Sequence, residues 1–251
     1  MVAREVAVTF DGTFDGFLSI VYAHYYDKIN PINIQPENHA QLTLVMESVY
    51  IETNPTHSAK VFSAIKEKIS YESAEFIFNA FLSSEDDRFM ALLAYIKMGF
   101  VHGQKVDNHL QTECVRRVQK LAKHVAREAH LLNGFCRFAE TKQGVFYCKI
   151  TPKNNVLPII ANHFSQRFNN QAWIIHDQTY GQAAIYNQNS YVITTAPMDA
   201  IVDCVDDEEE TQELWVTFFN AHFIKARVNL KLQRQMLPLY FRKNMTEFQR
   251  M

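Results

Sequence analysis

The sequence is poor in the residues that build flexible linkers and metal clusters. Its 251 residues include only 7 glycines and 7 prolines, which favours long regular elements over extended linkers. The 4 cysteines stand far apart and form no Cys-x-x-Cys pair, so the pattern gives zinc-ribbon and iron–sulfur ligation no support. We expect no metal site and reduced thiols that serve in packing, at Cys114, Cys136, Cys148 and Cys204.

Long apolar runs and a strong net charge are also missing. No stretch approaches the roughly 18 apolar residues of a membrane-spanning helix, and the first residues do not read as a signal peptide, so we expect a cytoplasmic protein without a membrane partner. The formal net charge is −2, which excludes a chain-wide basic character. Any argument for nucleic-acid binding therefore depends on local clusters of charge.

Two Asp-Gly pairs lie close together in residues 9–22, TFDGTFDGFLSIVY. The alternation that ends at Phe10 predicts a strand, Gly12 a turn, and Thr13 the N-cap of a helix that begins at Phe14. The alternative is a phosphate-binding loop, which needs more consecutive glycines and a nearby cation. We favour the strand, turn and capped helix.

The rest of the chain predicts an α+β fold in a single domain over residues 1–251. Helical periodicity fills a middle region of about 55–132, and strand-like alternation fills a sheet-rich region of about 133–197, with a helix between its strands. We expect the N-terminal strand to join the later strands in one mainly antiparallel sheet, flanked by helices. A basic helical tail, residues 225–251, completes the predicted domain.

Positive charge is concentrated in two places. One is a row on a predicted long helix, and the other is the tail, where aromatic and amide side chains stand among the cations and suit contacts with phosphates and bases. A charged row on a helix is often only a solvated face. The candidate nucleic-acid-binding residues are Arg116, Lys120, Lys123, Arg127, Lys231, Gln233, Arg234, Gln235, Arg242 and Lys243.

Five segments in a fixed order resemble a family of bacterial DNA-metabolism proteins. They are DGTFDGFL, LNGFCRF with the following GVFYCKI, VLPIIANHFSQRF, WIIHDQTYG and NLKLQRQMLPLYF. The resemblance extends from about residue 6 to 248. Near its end the family pattern has Met-Pro before an aromatic pair, whereas this chain has Met236-Leu237-Pro238-Leu239-Tyr240-Phe241.

The resemblance implies a role in DNA modification or repair but no defined reaction. Members are typically encoded beside a radical-SAM protein, and the domain also occurs fused to uracil-DNA glycosylase-like domains. This chain lacks the radical-SAM cysteine triplet, so any iron–sulfur or SAM chemistry belongs to a partner and we expect no cofactor here. The resemblance thus favours a DNA-binding or accessory subunit whose partners are DNA and a radical-SAM protein.

The second hypothesis is that the chain is itself a nucleic-acid-processing enzyme. His163 and Arg167 lie one turn apart on a predicted helix, and His176 and Asp177 end a predicted strand. An imidazole, a carboxylate and a guanidinium that converge at a sheet edge suit acid–base chemistry. A His-Asp pair at a strand end is, however, often just a hydrogen-bonded turn, so the sequence leaves open whether the chain is an enzyme.

Overall fold

The computed structural model describes residues 4–37, 48–197, 213–214, 216–217 and 237–249. The chain divides into two compact units, Met1–Val125 and Ala126–Met251. The boundary falls within one long helix. The expectation of a single domain over residues 1–251 stays a prediction.

The first unit is a three-stranded parallel sheet with helices. Its described elements are β1 (Arg4–Phe10), α1 (Phe14–Tyr26), β2 (Ile29–Pro36), β3 (Ser48–Tyr50), α2 (Pro55–Lys68), α3 (Tyr71–Phe81), α4 (Arg88–His102) and a 3-10 helix (Gly103–Asn108). The strand order is β2-β1-β3, with β1 parallel to both neighbours. Aromatic rings fill the core; Phe10, for example, meets Phe89 edge-on with ring centroids 5.2 Å apart. The predicted helical middle region is confirmed.

The second unit contains a five-stranded sheet. The long helix α5 (Glu113–Phe135) crosses into it, and its other described elements are β4 (Ala139–Glu140), β5 (Phe146–Ile150), α6 (Leu157–Arg167), β6 (Trp173–Asp177), β7 (Gln182–Tyr186), β8 (Tyr191–Thr195), α7 (Leu239–Arg242) and α8 (Thr246–Gln249). The strand order is β4-β5-β6-β7-β8. Only the β5–β6 pair of this sheet is parallel, so the prediction of a mainly antiparallel sheet holds for these strands.

The prediction that β1 joins this sheet is wrong. β1 pairs with β2 and β3 in a separate parallel sheet. The physical reason is the helix that follows it: a strand, a helix and a second strand in succession form a crossover that lays the two strands side by side and parallel. The same arrangement recurs in the second unit, where α6 connects the parallel strands β5 and β6.

Candidate functional site

Asp177 ends β6 with its carboxyl group buried, at 0% exposure. Its Oδ1 accepts hydrogen bonds from the backbone N–H groups of Thr179 (2.9 Å) and Tyr180 (3.2 Å). Burial raises the pKa of Asp177 to about 6; the two N–H groups oppose this shift, and the charge of Glu128 adds to it. A carboxyl group that exchanges its proton close to neutral pH suits acid–base chemistry.

Glu128 supplies a second buried carboxylate, at 5% exposure. It accepts hydrogen bonds from the backbone N–H groups of Lys153 (2.7 Å) and Asn154 (2.9 Å), and from the Asn154 side-chain amide (2.5 Å). The hydroxyl of Tyr240 also points to it, at 3.4 Å. The Glu128 side chain therefore fixes the loop that follows β5 through hydrogen bonds from the backbone of that loop.

The two carboxylates lie near the same sheet edge because of the crossover from β5 to β6, close enough for the charge of Glu128 to act on Asp177. The carboxyl ends of parallel strands share one edge of a sheet, and Ile150 at the end of β5 is in register with Asp177. The backbone N–H of Gln178 also donates to the Ile150 carbonyl (3.0 Å). The loop 151–156 leaves from this edge and leads into the N-terminus of α6. Loops at the carboxyl ends of parallel strands are the usual ligand sites of α/β folds.

Glu128 was absent from the sequence-derived site, although the sequence holds a signal for it. Buried positions of α5 include Leu121, Val125 and Leu132, and Glu128 falls on the same face at helical spacing. A carboxylate in an apolar stripe needs buried hydrogen-bond partners. Its hydrogen-bond partners, the backbone N–H groups of the loop after β5, could not be predicted from the sequence pattern.

The other three predicted catalytic residues do not join Asp177. His176 precedes it in β6, so its side chain points to the opposite face of the sheet, where its Nδ1 and the Tyr147 hydroxyl lie 2.7 Å apart. Burial lowers the pKa of His176; the nearby charge of Lys149 adds to this, and the Pro197 backbone opposes it. The residue is 1% exposed, so His176 is a buried neutral group of the core.

His163 and Arg167 are exposed on the second half of α6. A crossover helix runs antiparallel to the strands it joins, so its C-terminal end lies toward the amino ends of β5 and β6. Asp177 lies at their carboxyl ends. The structure thus places His163 and Arg167 on one helix face but away from the Asp177 carboxyl group.

The predicted basic row lies on α5 as expected. Arg116, Lys120, Lys123 and Arg127 are all exposed, and within the described ranges none of them makes an ion pair. Their neighbour Arg117 behaves differently, because it is held by Asp87 (2.6 and 2.8 Å) and Glu85 (3.3 Å). We name the four exposed cations the α5 row.

Only part of the predicted basic tail can be placed. Lys231, Gln233, Arg234 and Gln235 lie outside the described residues. Arg242, in α7, lies over the ring of Phe248 with its guanidinium carbon 4.8 Å from the ring centroid. Lys243 follows at the helix end and is exposed. The described part of the tail therefore combines a cation with an aromatic ring, and its contact with nucleic acid stays a prediction.

The Asp-Gly pairs lie at the carboxyl edge of the first sheet. Gly12 has a φ of +80°, and the Thr13 hydroxyl accepts a hydrogen bond from the Gly16 N–H (3.0 Å), so the predicted turn and N-cap are confirmed. Burial acts to raise the pKa of Asp11, but hydrogen bonds from Thr53 and Thr13 outweigh it and lower that pKa. An ionised carboxylate repels a phosphate, so the geometry favours the structural reading of this loop.

The described parts of the chain contain neither a metal-binding cluster nor a membrane-spanning helix. No group of three or more His, Cys, Asp or Glu side chains is arranged to hold a metal ion in those parts. The helices described there are all too short or too polar to cross a bilayer.

Fold and sites define a mixed α/β protein with a buried carboxyl pair at one sheet edge and an exposed basic helix row. The chain belongs to the DUF4130 family, described as a domain of unknown function, whose family model matches residues 86–247. It is also similar to a solved structure of a pGpG-specific phosphodiesterase, PggH, from Vibrio cholrae. That match has 10% identity and a TM-score of 0.37, over 87% of this chain and 100% of the other. No curated protein matches the chain.

Proposed function

We propose that this protein binds DNA as an accessory subunit in DNA modification or repair, beside a radical-SAM partner that carries the iron–sulfur chemistry. The observation that carries this proposal is the α5 row. Exposed cations that have no carboxylate partner among the described residues are available to phosphates, whereas a paired cation such as Arg117 is not. The resemblance of the five ordered segments to DNA-metabolism proteins supplies the biological setting.

The dimensions of the α5 row suit a nucleic-acid backbone. From Arg116 to Arg127 a helix rises about 16 Å, at about 1.5 Å per residue. A DNA strand presents a phosphate about every 3.4 Å along the duplex axis, so the row spans enough phosphates for each cation to contact one. The chain has a net charge of −2, so this attraction is local and fixes where DNA lies.

Salt dependence of DNA binding tests the proposal. Four neutralised phosphates give log affinity against log salt a slope of about −3.6 on duplex DNA, at about −0.9 for each phosphate. Lys120→Ala with Lys123→Ala should flatten the slope by about 1.8. The matched control is Lys60→Ala with Lys142→Ala, which removes two exposed lysines elsewhere and should leave the slope unchanged.

Fluorescence anisotropy with labelled single- and double-stranded DNA provides the measurement. Absence of binding to both, or equal slopes for the α5 and control pairs, would refute the role of the α5 row. Size-exclusion chromatography of the chain mixed with the radical-SAM protein tests the partner. Separate elution at micromolar concentrations of both proteins would count against an accessory role.

The alternative is a nucleic-acid-processing enzyme, and the Asp177–Glu128 pair is the observation that favours it. Two buried carboxyl groups beside one another, one of which, Asp177, has a pKa raised by burial, suit acid–base catalysis. In this alternative Asp177 is the proton-transfer group, and the exposed His163 and Arg167 contribute only to binding. An assay of single- and double-stranded DNA for base or backbone cleavage, with Asp177→Asn as the inactive variant, separates the enzyme from the accessory subunit.

A further inference from the structure

Two oxygen atoms at the carboxyl edge of β5 and β6 accept no hydrogen bond in the described structure. Oδ2 of Asp177 is buried without a partner, although Oδ1 of the same group has two. Oδ1 of Asn155, in the loop after β5, is likewise buried and unpaired. Buried acceptors are normally satisfied, so two of them at one sheet edge indicate a missing donor.

The neighbouring groups in the described ranges do not supply that donor. The N–H groups of Lys153 and Asn154 are already given to Glu128, and those of Thr179 and Tyr180 to the other oxygen of Asp177. These four N–H groups therefore all have acceptors, whereas Oδ2 of Asp177 and Oδ1 of Asn155 have no donor. A ligand that brings N–H groups would complete the arrangement.

The N-terminus of α6 adds the opposite kind of group. Its cap residue, Val156, makes no side-chain hydrogen bond to the first turn. Pro158 has no N–H, and the N–H groups of Ile159 (3.0 Å) and Ile160 (3.1 Å) donate to the Val156 carbonyl, so the Leu157 N–H is the donor that this turn offers. A ligand here therefore meets acceptors on Asp177 and Asn155 and one donor, the Leu157 N–H, at the start of α6. Adjacent donors and acceptors on one planar edge are the hydrogen-bonding pattern of a nucleobase with an exocyclic amino group.

Two tyrosines provide the aromatic surface that a base requires. The hydroxyl of Tyr180 donates to the Lys153 carbonyl (2.8 Å), and that of Tyr240 to Glu128 (3.4 Å), so both rings border the cluster. Tyr240 is 46% exposed and its hydrogen bond is the longest in the cluster, so it is the side chain most easily displaced by an incoming ring. Proteins that read an unstacked base pair its edge with polar groups and stack its face on aromatic side chains.

We propose that the carboxyl edge of β5 and β6 is a binding site for an amino-bearing nucleobase, with Asp177 and Asn155 accepting its N–H groups. This inference rests on the proposed DNA-binding function and adds a specific base-reading site to it. Glu128 is a positioning residue, because both of its oxygens are occupied by the loop and by Tyr240. Cytosine, adenine and guanine carry the required amino group, whereas thymine lacks it.

Nucleoside titrations of the full chain test the site. Isothermal titration with cytidine, adenosine, guanosine and thymidine should show that at least one of the first three binds tenfold or more tightly than thymidine. Asp177→Asn should weaken that binding by at least tenfold. This variant keeps an Oδ1 acceptor for Thr179 and Tyr180, so the turn is retained. Asn155→Ala serves as a second variant and should weaken binding several-fold.

Matched controls separate the site from general effects. Asp86→Asn makes the same chemical change at an exposed carboxylate, and Asn162→Ala removes an exposed amide of α6; both should bind like the wild type. Thymidine that binds as tightly as every amino-bearing nucleoside, or a folded Asp177→Asn with unchanged affinity, overturns the inference.

The two proposals fail in different ways. The Asp177→Asn variant should keep the salt-dependent binding of duplex DNA that the α5 row provides, and the Lys120→Ala, Lys123→Ala pair should keep nucleoside binding. Nucleoside binding without DNA binding would refute the proposed function alone. DNA binding without nucleoside binding would refute the base site alone.

Discussion

The hydroxyl of Thr53 donates a hydrogen bond of 2.7 Å to the Asp11 carboxylate and joins the loops that follow β3 and β1. In the strand order β2-β1-β3, the strands that follow β1 in sequence lie on opposite sides of it, so these loops stand at a topological switch point of the sheet. The bond therefore closes the position where α/β sheets commonly open a ligand crevice. Gly16, the glycine of the second Asp-Gly pair, makes this hydrogen bond possible because it has no Cβ to separate the two side chains.

Gly16→Ala should destabilise the first unit. A Cβ at this position would lie 2.3 Å from Asp11 Oδ1 and 2.8 Å from Thr53 Oγ1, so the two side chains would have to separate. Overpacking of this kind costs about 1 to 3 kcal/mol. The free energy of unfolding from urea titration measures the loss. Thr53→Ala tests the cause, because it removes Oγ1, so Gly16→Ala should cost less in that background.

Gly12→Val should cost roughly 1 to 3 kcal/mol for a different reason. The residue has a φ of +80°, where a β-branched side chain is strained, while the nearest atom to an added Cβ is at an ordinary 3.4 Å. Gly134→Val is the control, because its Cβ would meet nothing within 4 Å and its backbone is helical. Equal melting temperatures for the two variants would contradict the prediction. A stable Gly12→Val variant that lost DNA binding would instead revive the phosphate-loop reading.

Asp177 should make the protein less stable as pH rises from about 4 to 6. Its folded-state pKa of about 6 exceeds the ordinary value of 3.8, so in this window the folded chain binds more protons than the unfolded chain. The free energy of unfolding then falls with rising pH, by about 1.4 kcal/mol for each unit of the pKa difference. Asp177→Asn should remove this slope.

Asp11 should show the opposite dependence. Its pKa is lowered in the folded state, so its contribution to stability is present above the ordinary carboxyl pKa and is lost as pH falls toward the folded-state value. Thermal unfolding of Asp177→Asn and Asp11→Asn from pH 3 to 7 checks both signs in one experiment. Parallel curves for the two variants and the wild type would refute both assignments.

Glu128→Ala should be among the most destabilising single changes in the second unit. It removes the acceptor of two backbone N–H groups and of the Asn154 amide, so each of these three donors loses a hydrogen bond to a charged oxygen. Hydrogen bonds to a charged acceptor contribute about 1.5 to 3 kcal/mol each, so a loss of about 3 kcal/mol or more is expected. Glu140→Ala, an exposed carboxylate on the same unit, is the comparison and should cost far less.

Local patterns predicted most elements, because alternation, helical spacing and turn residues act over a few positions. Val6, Val8 and Phe10 are buried in a strand, Thr13 caps α1, and a turn with Gly144 at φ +73° joins β4 to β5. Sheet membership was not predictable in the same way. It depends on how a crossover helix packs, which a strand pattern alone does not contain.

The candidate site was predictable only in part for a related reason. Asp177 stood out because a carboxylate ended a strand, and its neighbour His176 was credited with the same role although alternate residues of a strand face opposite sides. Glu128 and Asn155 join Asp177 only through tertiary structure. The α5 row was readable because helical spacing alone decides which side chains share a face.

The separate parallel sheet has a consequence for how the chain folds. In the described part of the chain, every strand pairs with a partner that is near in sequence: Arg4 of β1 pairs with Ile29, Ala7 with Ser48, and Phe146 of β5 with Trp173. Had β1 joined the later sheet, its pairing would have had to close a far longer loop before any contact stabilised it. Short loops cost less chain entropy and speed the search for native pairs. Each sheet should therefore form early and independently of the other. During refolding, the backbone amides of β1 should become protected from hydrogen exchange without any contribution from residues after Asn133.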